Sequence, residues 1–128
     1  MVVIMNSSTI ISDVEFNHNL NVVRYTSAIF SKIVDFNDKV IDGFKMLKKE
    51  GINVSDSYFE YVDKLNNLAY KHLCVQTREE YNKILGAIGA GDILVNRGIL
   101  DKNLETLGQG LYNLGYLLNE LNVFDVEL

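Results

Sequence analysis

The sequence predicts an all-α protein: a single-domain bundle of four to five antiparallel helices with a leucine-striped C-terminal helix. Three observations predict it. Leu104, Leu107, Leu111, Leu114, Leu118 and Leu121 recur with alternating gaps of three and four residues, which places all six on one stripe of one helix. Nearly every other apolar run repeats with the same period, and strand-like alternation is confined to the termini. The chain of 128 residues contains no proline, so nothing interrupts long helices from within. A length of 128 residues, 48% hydrophobic and 23% charged, suits one globular domain over residues 1–128 rather than a disordered chain or two domains.

Val2–Met5 opens apolar, and polar residues follow. Residues 1–12 therefore read as an arm less ordered than the rest, with a short strand or packed segment at 2–5 as the alternative. A helical pattern begins near Asn21. Val22, Ile29, Ile33, Phe36, Val40, Phe44 and Leu47 share one face, and the segment to Glu50 forms either one helix of roughly 45 Å at about 1.5 Å per residue or two, broken near Asp35–Asn37. Gly51 after Lys48, Lys49 and Glu50 supplies the left-handed residue of a helix stop.

Ser57 and Glu60 have the spacing of a capping box, opening a helix that buries Phe59, Val62, Leu65, Ala69 and Leu73. Thr77 and Glu80 repeat the signature and open a third helix with Tyr81, Ile84, Leu85 and Ile88. Gly86, Gly89 and Gly91 mark its weak end, and residues 92–98 read as a linker or brief turn. Asp101 is the expected cap of the final helix, with 123–128 a tail. Gly108 and Gly115, seven apart on one flank of the leucine stripe, are the expected point of close backbone approach, because an internal glycine costs about 0.5–1 kcal/mol against alanine. Stripe and glycines together form a helix-packing or dimer seam, and a homodimer through it is the corresponding expectation.

No catalytic, metal or cofactor site emerges from the residue pattern. His18 and His72 are far apart, and His72 and Cys74, two residues apart, fall on different helix faces, so neither a zinc site nor an activated thiol is assembled. Asp35, Asp38 and Asp42 read as a solvated face. The glycines at 86–91 follow a helix rather than a strand and precede no Lys-Ser/Thr pair, which excludes a phosphate loop. Net charge is −5 with a pI near 4.9, and basic residues are scattered, against nucleic acid or an anionic membrane as partner. No run of 18 apolar residues predicts a membrane span. One cysteine, Cys74, fits a reducing, cytoplasmic setting. Abundant Asn, Ile, Lys and Tyr suggest an AT-rich source such as a low-GC bacterium, its phage or a large DNA virus.

Contact surface is plentiful where chemistry is missing. Tyr58, Tyr61, Tyr112 and Tyr116 lie beside helix faces, and tyrosine suits interfaces because it buries much area while keeping a polar tip. The expected function is thus a non-enzymatic protein-binding module: a small acidic inhibitor, immunity factor or adaptor that occludes a protein partner. A ligand-sensing regulator with an apolar pocket between helices near 86–91 is the alternative. A helix-turn-helix transcriptional regulator built on Thr77–Gly91 and the following segment is a second alternative, with Arg78, Lys83, Arg97 and Lys102 as its bases.

Overall fold

A computed structural model describes residues 12–126, of which 82% are helical. Four helices make an all-α bundle: α1 Asp13–Lys49, α2 Asp56–His72, α3 Arg78–Leu100 and α4 Leu104–Glu120. The segment at 2–5 and the last two residues of the expected tail lie outside the described residues. Among those described, no helix is long and apolar enough to cross a membrane.

The first helix starts eight residues before the expected Asn21 and runs unbroken through Asp35–Asn37. Its start is set locally. Ser12 accepts a hydrogen bond from the Glu15 N–H at 3.1 Å, and Asp13 and Glu15 face the positive end of the helix dipole. The core face begins only near Ile29, so an apolar pattern alone dates the helix too late. Residues 13–24 project as an exposed arm of about 18 Å at 1.5 Å per residue. Gly51 (φ 88°) ends α1 as expected. Its N–H donates to the Lys48 carbonyl, and that of Ile52 donates to Leu47, the double bond of a Schellman stop.

The cap at Ser57 is not formed. Ser55 caps α2 by accepting from the Ser57 N–H at 3.3 Å, because buried Val54 anchors the chain just ahead of it. The box at Thr77 and Glu80 is present: Glu80 N–H donates to Thr77 Oγ1 at 3.1 Å, and the Thr77 N–H donates to the Glu80 carboxylate at 3.3 Å. The third helix then continues past Gly86–Gly91 and through residues 92–98, which are helix rather than linker. Packing overrides weak propensity here. Ile88, Gly91, Val95 and Gly98 are buried, and α3 with α4 forms the most extensive helix pair.

Asp101 belongs to the end of α3, and Asn103 caps α4 by accepting from the Thr106 N–H at 3.2 Å. Between them Lys102 takes the left-handed conformation (φ 51°) while pairing with Glu50 at 3.2 Å. The expected tail is also corrected: Val123 and Phe124 are core residues. The Val123 carbonyl accepts from the Cys74 N–H at 2.7 Å, so the chain end closes the bundle over the α2–α3 connection.

Leu107, Leu111, Leu114 and Leu118 are fully buried, with Leu104 and Leu121 packed at the edges of the same core. The stripe is therefore a core face, and association of two copies through it would require lifting α4 from its own bundle. Gly108 and Gly115 are buried, yet the tightest backbone contact that the structure describes lies elsewhere. A Cβ on Gly110 would stand 2.8 Å from the Gly91 carbonyl oxygen, and one on Gly98 would stand 2.6 Å from the Leu107 nitrogen. Two residues apart, and so about 200° apart around the helix, Gly108 and Gly110 fall on opposite flanks of the stripe. The one carrying Gly110 meets α3 closely, whereas Gly108 faces the Tyr58 ring of α2, 3.4 Å from its Cβ direction. Among the described residues one polar side chain enters the core: Asn37, fully buried, donates to Asn66 Oδ1 across α1 and α2 at 2.7 Å, while its own oxygen has no partner among them.

Candidate protein-interaction surface

Three of the four candidate tyrosines converge. Tyr58 and Tyr61, three residues apart on α2, share one helix face, and Tyr112 reaches them from α4. The Tyr61 and Tyr112 rings meet edge to face with centroids 4.8 Å apart, and Tyr58 lies 6.4 Å from Tyr112. Beneath them Phe44 of α1 supports Tyr58 at 5.2 Å. Gly108 packs beneath the Tyr58 ring, which a Cβ there would meet at 3.4 Å, ordinary van der Waals contact. Tyr116 stands one turn further along α4 and is 70% exposed, outside the ring cluster. Beside the cluster a cleft of about 540 Å³ is lined by Tyr58, Leu104, Glu105, Gly108, Gln109 and Tyr112.

Burial holds the Tyr61 phenol above its ordinary pKa of 10.0, with the neighbouring Tyr112 adding to the shift. Tyr112 is raised likewise, by burial first and then by Tyr58. A phenol whose folded pKa is raised binds its proton more tightly in the folded state. Its contribution to stability is complete below the unfolded value of about 10 and is lost as pH rises through the raised folded values. Phenolate absorbance during an alkaline titration should therefore show two tyrosines ionising later than free tyrosine. Tyr61→Phe should remove one of them, and wild-type titration indistinguishable from free tyrosine would contradict this packing. At neutral pH Tyr61 and Tyr112 are therefore uncharged.

The other candidate residues do not assemble. His18 and His72 are exposed, on the arm of α1 and at the end of α2. No group of three His, Cys, Asp or Glu side chains placed to hold a metal occurs among the described residues, and Asp35, Asp38 and Asp42 all face outward. The apolar pocket expected near 86–91 is instead an open surface groove. It carries Lys32, Asp35, Lys39 and Asp92, with Lys39 and Asp92 ion-paired at 3.2 Å. A helix-turn-helix is not formed from Thr77 onward, because α3 runs continuously for 23 residues. Of its proposed bases, Lys83 and Lys102 are engaged by Glu79 and Glu50.

One feature escaped the sequence reading. Phe16, Leu20 and Val23 form an exposed stripe on the α1 arm, at 57%, 36% and 60% exposure. Their i, i+4, i+7 spacing was the available signal, masked by the interleaved asparagines. No protein family, curated protein or solved structure matches this chain.

Proposed function

We propose that the protein is a non-enzymatic protein-binding module, an inhibitor, immunity factor or adaptor that occludes a partner through the tyrosine face of α2 and α4. The carrying observation is the convergence of Tyr58, Tyr61 and Tyr112 from two helices onto one half-buried face. Rings held by their neighbours lose little further freedom on binding, which is what makes such residues effective anchors. The cleft beside them gives a partner side chain somewhere to enter. Charge supplies the chemistry of the partner. Helix α4 carries Glu105 and Glu120 and no basic residue, so the face suits a segment that sets an apolar anchor beside lysine or arginine.

The test is affinity capture from the native cell with the tagged full-length chain, in parallel with the Tyr61→Ala/Tyr112→Ala double variant. Loss of a stoichiometric protein from the double variant is the expected result, with the same protein retained by Tyr70→Ala, a change at an exposed tyrosine elsewhere on α2. Circular dichroism confirms that both variants stay helical. An identical captured set for wild type and double variant would overturn the reading.

A further inference from the structure

On a different face, α1 and the start of α3 border an open cleft of about 500 Å³, lined by Arg24, Tyr25, Ala28, Arg78, Tyr81 and Asn82. We propose that it is a binding site for a small phosphate monoester, with the phosphate held by Arg24 and Arg78 and its organic group laid against Tyr25 and Tyr81.

The distribution of charge carries the argument. The chain has 17 acidic residues and only three arginines, and two of those three line this one cleft. Three lysines elsewhere pair with carboxylates, Lys39 with Asp92, Lys83 with Glu79 and Lys102 with Glu50; what sets Arg24 and Arg78 apart is that they share one cleft with two aromatic rings. Among the described residues neither Arg24 nor Arg78 has an ion-pair or hydrogen-bond partner. Local sequence explains why. The helical neighbours three and four residues from Arg24 are Leu20, Asn21, Ser27 and Ala28, and those following Arg78 are Tyr81 and Asn82, none of them acidic. The nearest carboxylates along the chain are already committed. Glu79 binds Lys83, and Glu80 accepts from the N–H groups of Gln76 and Thr77. Two guanidinium groups thus line the cleft with no carboxylate paired to them among the described residues.

The remaining walls define what the anion is attached to. The Tyr25 and Tyr81 rings pack with centroids 5.2 Å apart and planes inclined by 34°. Both are held against the core, a rigid aromatic floor next to the two charges. Guanidinium forks match the oxygens of phosphate in bidentate fashion. A dianion with three terminal oxygens engages two forks at once, where a carboxylate has only two oxygens to share. The volume admits a phosphate with one ring or a short chain.

The experiment titrates the full-length protein with phenyl phosphate, followed by nuclear magnetic resonance of the arginine Nε–H and tyrosine ring signals. Inorganic phosphate, benzoate and phenol are titrated as separate arms. Saturable shifts at Arg24, Arg78, Tyr25 and Tyr81 are expected with phenyl phosphate, and at least tenfold weaker binding of the other three. Arg24→Gln and Arg78→Gln should each weaken phenyl phosphate about tenfold or more, the scale of a lost charge-assisted hydrogen bond. Arg97→Gln, at the third arginine, should leave it unchanged. Absence of a saturable response in the wild type at millimolar ligand, or equal binding by the Arg24→Gln/Arg78→Gln double variant, would overturn the site. Equal affinity for inorganic phosphate and phenyl phosphate would overturn the place given to the tyrosines.

Discussion

Gly98→Ala is expected to cost about 3 kcal/mol or more, at the upper end of overpacking changes. The added methyl would stand 2.6 Å from the Leu107 nitrogen and 2.8 Å from its Cα. Those atoms are backbone, so no rotamer change relieves the clash, and α4 must move away from α3 as a body. That movement would open the contact in which the leucine stripe is buried. Gly86 and Gly89 lie on the same helix with nothing within 4 Å of their Cβ directions. Alanine there should stabilise by about 0.5–1 kcal/mol, the ordinary helix-propensity gain. Urea unfolding of the three variants checks both signs together. A Gly98→Ala protein as stable as Gly86→Ala would refute the close approach of α3 and α4.

Leu111→Ala and Leu114→Ala should each cost about 2–5 kcal/mol, the range for emptying a well-packed leucine site. Both are fully buried between α4 and its neighbours, and the rigid glycine contacts on the same helix leave little room for collapse into the cavity. Leu100→Ala is the contrast: that side chain is 80% exposed at the end of α3, so its loss should stay within about 0.5 kcal/mol. The two core leucines stand three residues apart on one face, so their double variant should depart from additivity. Losses below about 0.5 kcal/mol at both core positions would mean that the stripe is solvated in the isolated chain, returning it to the role of a seam between molecules.

Features encoded within one or two helical turns were readable from the residues alone. The leucine stripe, the Thr77–Glu80 box and the Gly51 stop each rest on relations between residues three to five positions apart, and their local geometry does not depend on the rest of the fold. Tyr58, Tyr61 and Tyr112 were identified on the same local grounds, although their meeting across α2 and α4 was not.

What local pattern left open was decided by packing between distant segments. Ser55 prevails over Ser57, and Asn103 over Asp101, because caps of similar intrinsic merit are selected by where the flanking chain is anchored. Helix α3 passes through Gly86, Gly89 and Gly91 because burial against α4 outweighs the propensity cost of those glycines, a term invisible in a local window. The choice between Gly108 and Gly110 as the point of closest backbone approach depends on which neighbour takes each flank of α4. Val123 and Phe124 are core only because the α2–α3 connection lies within reach of the chain end. Arg24 and Arg78, 54 positions apart, share a cleft for the same reason: helices bring together side chains whose proximity no sequence period records.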